Sequence, residues 1–192
     1  SPYSIVTWTK VSPERFSLAP GEEQEVIATI TAPTDAAGGH FGSFVFSTFP
    51  GSKDKKVTSV SQEIASLFLV RVNGPVTEKL ILKDMTAPSY AEFGPVTFNL
   101  TLQNKGNVHT KTYGLINVRD MFGKKVADIV VPGTNVYPNA QRVIKADLNK
   151  RFLFGTYTAT ALMYYGAQNQ SLSASTSFFV FPTKIAGIVL VI

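Results

Sequence analysis

The sequence contains no cysteine and only two histidines. Without a thiol the chain has no disulfide scaffold, no thiol nucleophile and no thiolate metal site. The two histidines, His40 and His109, lie far apart in the sequence, so neither belongs to a zinc-binding H-x-x-x-H or H-E-x-x-H motif. We expect both to be structural: His40 as a corner histidine that bonds the backbone, and His109 in a solvated loop.

Charged residues are also few, at 16% of the chain, and they form no catalytic set. The acidic residues that could be considered either follow a turn or stand singly near hairpin ends: Glu22, Glu23, Glu25, Asp120, Asp128 and Asp147. The sequence contains no D-x-D-x-D calcium loop, no G-x-S-x-G nucleophile motif and no phosphate-binding glycine loop before a helix. It therefore predicts no catalytic residue, no cofactor and no metal site, and a protein that is not an enzyme.

The net charge of +5 comes from basic residues that are scattered along the chain. The densest group is Lys53, Lys55 and Lys56, with Asp54 among them. Nucleic-acid binding usually requires a basic stripe on a recognisable module, and neither is present, so we expect no nucleic-acid partner. The lysine group is interpreted as a solvated loop, with weak affinity for anionic wall polymers or lipid headgroups as the alternative.

Period-two alternation of apolar and polar residues dominates the sequence. In VTFNLTLQN, the apolar residues Val96, Phe98, Leu100 and Leu102 alternate with polar ones, and EVIATITAP and TYTATALMYYG show similar patterns. Such runs bury one face of a strand, as in antiparallel sheets. Turn signals separate the runs: Pro20-Gly21, the glycine-rich corner DAAGGHFG (35–42), DMFGKK (120–125) and YYGAQNQS (164–171).

The runs fall into two groups, so we predict an all-β protein with two tandem immunoglobulin-like β-sandwich domains and a truncated C-terminal transmembrane-type segment. The first domain, residues 1–74, has candidate strands at 5–10, 15–18, 25–32, 42–49, 57–61 and 64–72. Because it is the shorter of the two, we expect one or two further strands upstream of it. The second domain, residues 75–183, has seven or eight strands, the size of an immunoglobulin-like sandwich. A single larger sandwich of two sheets is the alternative.

The C-terminal residues 185–192, IAGIVLVI, are all apolar or glycine. Eight residues are too few to cross a bilayer, which requires about twenty. We interpret residues 184–192 as the start of a membrane anchor, which would place both sandwiches outside the membrane. The alternative is a final buried strand, favoured by the β-branched residues of the segment.

Two stretches of the sequence match the layout of a known protein family. In SPERFSLAPGEEQEVIATITAPTDAAGGHFGSFVFS (12–47), the matching positions are Pro13, Phe16, Leu18, Pro20, Gly21, Glu22, Pro33, Gly39 and Gly42. The second stretch is LQNKGNVHTKTYGLINVRDMFGKKVADI (102–129) followed by FGTYTATALMYYG. Together they resemble the WxL-interacting cell-surface proteins of Gram-positive-type bacteria. The resemblance implies tandem immunoglobulin-like domains before a single transmembrane helix. It also implies peptidoglycan binding by the first domain and binding of host or partner proteins by the second.

Aromatic side chains are the remaining candidates for ligand contact. Tyr157, Tyr164 and Tyr165 near one turn, and Tyr3 and Trp8 near the start, could form a stacking patch for sugars or peptides, or could be core residues. A lysine-to-asparagine isopeptide crosslink, which requires both residues to be buried together, could use Lys79, Lys83 or Lys145 with Asn99 or Asn117. No binding residue is assigned from the sequence.

These observations predict a noncatalytic protein on the extracellular face of the bacterial membrane or cell wall. Its function would be adhesion to peptidoglycan or to another surface protein, with the membrane contacted through the C-terminal segment. The alternative is a structural or assembly subunit, or a spacer region of a larger surface protein or surface enzyme, whose open sheet edges pair with partners.

Overall fold

The computed structural model describes residues 2–48 and 61–183, and the chain divides into two compact units, Ser1–Val76 and Thr77–Ile192. Strands dominate both units. Within residues 2–48 and 61–182, the one helical element is a 3-10 turn at Val6–Trp8. The all-β fold class predicted from period-two alternation is therefore confirmed.

The first unit contains four strands in its described residues: β1 (Thr9–Ser12), β2 (Ile27–Ile30), β3 (Gly38–Ser47) and β4 (Glu63–Val72). They form two antiparallel two-stranded sheets, β1–β2 and β3–β4. A type II turn precedes β2, because the N–H of Glu22 bonds the carbonyl of Ala19 and Gly21 takes a φ of +86°.

Three predictions for the first unit differ from the structure. The run 5–10 starts with the 3-10 turn and becomes extended only at Thr9. The run 15–18 is not a strand: it lies between Pro13 and Pro20, which cannot donate backbone hydrogen bonds, and its Phe16 and Leu18 are exposed. The run 57–61 lies, apart from Ser61, outside the described residues.

The second unit is an immunoglobulin-like β-sandwich. Its strands are β5 (Leu80–Thr86), β6 (Tyr90–Ala91), β7 (Val96–Asn104), β8 (Thr110–Asp120), β9 (Lys125–Val136), β10 (Gln141–Leu148), β11 (Gly155–Tyr165) and β12 (Gln170–Val180). One sheet has the order β10-β7-β5 and the other has the order β6-β12-β11-β8-β9. All pairs are antiparallel except β6 with β12.

The core of the second unit lies between these two sheets. From the smaller sheet, every second residue of β7 from Val96 to Leu102 is buried, as the alternation predicts. From the larger sheet, alternate residues of β11 are buried in the same way. Phe178 joins the sheets, because its ring lies 5.7 Å from that of Phe98, edge-on, and 5.3 Å from that of Tyr157, stacked.

A buried asparagine holds the corner between β7 and β8. Asn104 is fully buried, and its side-chain Nδ2 donates to the carbonyl oxygens of Val108 (2.7 Å) and Val136 (2.9 Å). Its Oδ1 accepts from the N–H of Gly106 at 2.8 Å. One side chain thus satisfies three backbone groups where the chain turns from one sheet to the other.

The strand ends define two poles of the second unit. The C-terminal pole comprises the β8–β9 hairpin tip (121–124), the loops 92–95 and 149–154, and the end of the chain at 179–183. The opposite pole comprises the loops 105–109, 137–140 and 166–169. The chain enters the unit at the opposite pole, where the N–H of Thr77 bonds the side chain of Asn107.

Candidate interaction surfaces

The two histidines lie in different units. His40 is buried in the first unit, with its ring 4.4 Å from that of Trp8 and its Nε2 3.3 Å from the carbonyl oxygen of Ala37. That is the backbone contact expected of a corner histidine. His109, expected in a solvated loop, is half-buried. No group of three or more metal-binding side chains comes together in the part of the chain that the structure describes.

The single aspartates and Glu22 make local structural bonds. Glu22 accepts from the N–H of Ala19, and Asp147 accepts from the hydroxyl of Thr97. Asp120 closes the β8–β9 hairpin by accepting from the N–H groups of residues 122 and 124. None of these contacts assembles the pair of carboxylates across a cleft that glycoside hydrolysis requires.

Asp128 is an exposed carboxylate on β9 with a perturbed pKa. Hydrogen bonds from the side chains of Lys125 (2.9 Å) and Asn117 (2.6 Å) lower the pKa of Asp128 below its ordinary value. Because the group is exposed and paired on the surface of the sheet, this shift reflects a local network and not a reactive acid.

The aromatic residues considered for a stacking patch lie in different environments. Tyr157 and Tyr165 are buried in the core of the sandwich, which favours the core interpretation for both. Tyr164 is half-buried and packs 6.0 Å from the ring of Tyr113. Tyr3 and Trp8 in the first unit flank His40.

The environment that an isopeptide crosslink requires is absent at the predicted residues. Lys145 lies directly opposite Asn99 in the β10–β7 register, but its side chain is exposed. Lys79 and Lys83 are exposed as well, and Asn117 bonds Asp128. Because these lysines are exposed and not buried beside an asparagine, the structure contradicts the crosslink hypothesis for these pairs.

The sheet formed by β3 and β4, here called the apolar ribbon, is apolar on both of its faces. On one face Phe46 lies opposite Ile64, and on the other Ser43 lies opposite Leu67 beside the pair Val45 and Ala65. The exposed fractions are 71% for Ile64, 56% for Leu67, 55% for Val45 and 43% for Phe46. Large contiguous apolar surface of this kind marks interaction sites in folded proteins.

Part of one face of the apolar ribbon is covered from within the first unit. Ile5 is fully buried there, so close to Gly42 that a Cβ on the glycine would lie 2.9 Å from its side chain. Beside it, Phe44 and Phe68 stack at 4.4 Å. A shallow apolar pocket of about 150 Å³ remains between Val6, Val11 and these two rings. The rest of the apolar ribbon has no such cover among the described residues.

The outer edge of β4 is open. Within residues 2–48 and 61–76, β4 pairs with β3 alone, so alternate N–H and C=O groups between Ile64 and Val70 point away from the sheet. Such an edge is a template for one more strand. The apolar ribbon therefore combines an open backbone edge with apolar side chains on both sides, the two features that strand addition uses.

The C-terminal pole of the second unit also has exposed large apolar side chains. Phe122 at the hairpin tip is 87% exposed, and Phe152 in the loop 149–154 is 81% exposed. Met121 and Phe154 are exposed on the same pole. An open groove lies beside them, lined by Phe93, Gly94, Pro95, Asn149 and Arg151.

The predicted membrane anchor at 184–192 and the lysine group at 53–56 lie outside the described residues. Within 2–48 and 61–183, no helix has both the length and the apolar character needed to cross a bilayer.

Comparisons with known proteins give a structural likeness only. No family model matches the sequence, and no curated protein matches it. One of 17 matching chains among solved structures is the CARDB domain of a Pyrococcus furiosus protein, determined in complex with di-metal ions. It is 10% identical, has a TM-score of 0.38, and the match covers 54% of this chain and 94% of that chain. Membership of the WxL-interacting family stays a prediction.

Proposed function

We propose that the protein is a noncatalytic bacterial cell-surface module that binds a protein partner through the apolar ribbon. It is held at the extracellular face of the membrane by its C-terminal segment. The observation that carries the proposal is the exposure of Ile64, Leu67, Val45 and Phe46 around an open strand edge. The resemblance to WxL-interacting proteins and the apolar residues 185–192 support the location.

The apolar ribbon suits a protein strand better than a cell-wall polysaccharide. Aliphatic side chains offer no hydrogen bonds to sugar hydroxyls, whereas an added strand satisfies the outward N–H and C=O groups of β4. Full burial of each large apolar side chain contributes roughly 1.5–3 kcal/mol. Because the four side chains of the apolar ribbon are already partly buried, covering each of them contributes a part of this amount, in addition to the backbone hydrogen bonds of an added strand.

Site-specific photocrosslinking in intact cells tests the proposal. The full-length protein carries a photoreactive phenylalanine derivative at Leu67, or, as a matched control, at Val143 on β10, which is 54% exposed. We expect one defined adduct from position 67 and none from position 143. Mass spectrometry should identify the adduct as another surface protein, and Val45→Lys should abolish it.

The other outcomes separate the alternatives. An adduct between two copies of this chain would support the assembly-subunit hypothesis, with the same surface occupied by a second copy. Adducts of equal yield at both positions, or none at position 67, would contradict binding through the apolar ribbon. Sedimentation with peptidoglycan that is unchanged by Leu67→Lys would show that wall adhesion uses a different surface.

A further inference from the structure

We infer that the C-terminal pole of the second unit is a lipid-contacting surface that lies against the outer leaflet of the membrane and binds anionic headgroups. The inference rests on the proposed membrane location, and it adds a second membrane contact beside the C-terminal segment. The residues concerned are Met121, Phe122, Phe152 and Phe154, with the cations Lys124, Lys150 and Arg151.

Contacts between the loops show that these side chains belong to one surface. The hairpin tip reaches the start of β11, because a Cβ on Gly155 would lie 2.1 Å from the Cε of Met121. The loop 149–154 meets the end of β12, with the rings of Phe154 and Phe181 5.4 Å apart. The loop 92–95 joins them through a hydrogen bond from the N–H of Gly94 to the carbonyl of Arg151.

The chain leaves the second unit at this pole. The hydroxyl of Tyr90 contacts the Phe181 carbonyl and the Thr183 hydroxyl, which in turn bonds Glu92. These bonds fix the start of the C-terminal segment beside the exposed aromatic side chains. Because residues 185–192 are apolar, a membrane that received them would face this pole and not the opposite one.

The charges at the pole suit an anionic surface. In the described part of the chain no ion pair involves Lys124, Lys150 or Arg151, and all three side chains are exposed. The carboxylates at this pole are Asp120, which closes the hairpin, and Glu92, which accepts from Thr183, so the three cations outnumber them. Exposed aromatics among cations are the composition that binds at the headgroup level of a bilayer.

The opposite pole has a different character. Among the described residues, none of the large exposed apolar side chains lies in its loops 105–109, 137–140 or 166–169. Glycine, asparagine and glutamine make up six of its 13 loop residues. The strongly exposed phenylalanines Phe122, Phe152 and Phe154 therefore lie at the end where the chain leaves and not in the loops of the opposite pole.

Fluorescence quenching by brominated lipids tests which pole meets the membrane. Trp8 is the single tryptophan, so the Trp8→Phe background of the full 192-residue chain accepts one reporter. Phe122→Trp places the reporter on the C-terminal pole, and Gln168→Trp places it on the opposite pole as a matched control. With vesicles of brominated phosphatidylcholine and phosphatidylglycerol, we expect strong quenching at position 122 and none at position 168.

Charge and aromatic variants give a second readout by vesicle sedimentation. Lys150→Gln with Arg151→Gln should weaken association with phosphatidylglycerol vesicles about fivefold for each charge removed. Lys79→Gln with Lys105→Gln removes the same charge at the opposite pole and should leave association unchanged. Phe122→Ser with Phe152→Ser should weaken it by about tenfold, whereas Val130→Ser with Val143→Ser should not.

Several outcomes would overturn the inference. A vesicle-bound chain with an unquenched reporter at 122 would exclude contact by this pole while the proposed anchoring survives. Equal quenching at positions 122 and 168 would show unoriented binding. So would an equal loss of vesicle association in the double variant at Lys150 and Arg151 and in the double variant at Lys79 and Lys105. A chain that does not bind vesicles would contradict both the inference and the anchoring. The photocrosslinking result at position 67 is independent of all of these.

Discussion

Replacing Asn104 tests how the sandwich is held at the β7–β8 corner. Asn104→Ala removes a fully buried side chain that bonds the carbonyls of Val108 and Val136 and the N–H of Gly106. Of these three groups, the carbonyl of Val108 also accepts from the hydroxyl of Thr110, at 3.3 Å. The substitution therefore leaves the N–H of Gly106 and the carbonyl of Val136 without their side-chain partner at the junction of the two sheets.

The magnitude follows from the three lost bonds. Each contributes about 1 kcal/mol net, and a buried group left without a partner costs roughly 1–3 kcal/mol. Because the corner can admit some water after truncation, we expect Asn104→Ala to lower the free energy of unfolding by about 3–5 kcal/mol. That is a large part of the roughly 5–15 kcal/mol that stabilises a typical domain.

Urea denaturation followed by far-ultraviolet circular dichroism measures this loss. At an m-value of about 2 kcal/mol/M, the transition of the second unit should move down by about 2 M. The fluorescence of Trp8, which lies in the first unit, provides a second probe and should shift much less. A loss below about 1 kcal/mol for Asn104→Ala would refute the role assigned to these bonds.

The isosteric variant Asn104→Asp separates hydrogen bonding from volume. A carboxylate accepts from Gly106 but cannot donate to the two carbonyls, so burial and the carbonyl oxygens should raise the pKa of Asp at this position above its unfolded value. A raised folded-state pKa means that protonation favours the folded state. The variant should therefore be least stable at neutral pH and regain stability as the pH falls through the folded-state pKa.

Other predictions concern backbone clearance and surface titration. Gly114→Ala should destabilise the second unit severely, because the added Cβ would lie 2.2 Å from the carbonyl oxygen of Leu162. Gly123 has open space around it but a φ of +78°, so Gly123→Ala should lower the free energy of unfolding by only about 1 kcal/mol. The same urea assay measures both. In an NMR titration, Asp128 should titrate below its ordinary value of 3.8, and Lys125→Gln should move the midpoint back up. Its folded pKa is lowered, so its contribution to stability is present above pH 3.8 and is lost as the pH falls through the folded value.

Much of the second unit is predictable because one local rule governs its central strands. The alternation in β7 and β11 fixes which residues face the core, and the hairpins at 120–125 and 164–171 lie where the turn residues indicate. Asn104 could have been found by the same rule, since it continues the inward series Val96, Phe98, Leu100 and Leu102. A polar residue at an inward position predicts a buried hydrogen-bonding role. The partners of Asn104, however, come from β9 and from the loop 105–109, and no sequence pattern around Asn104 identifies them.

The C-terminal pole could not be predicted in this way. Its residues come from four separate segments of the sequence, in which Phe122 lies two residues before Lys124 and Phe152 directly follows Arg151. They become neighbours only because the strand order places the β8–β9 hairpin, the β10–β11 loop and the end of β12 at one end of the sandwich. A surface assembled by topology leaves no periodic pattern along the chain.

The apolar ribbon departs from the alternation rule in an informative way. FGSFVFS in β3 and IASLFLV in β4 have apolar residues at successive positions, a pattern typical of strands that are covered on both faces. In the described structure, Ile64 and Leu67 are exposed on opposite faces. The sequence pattern is therefore typical of strands buried on both faces, whereas the described chain leaves these side chains exposed. This difference supports the proposal that a partner covers the apolar ribbon.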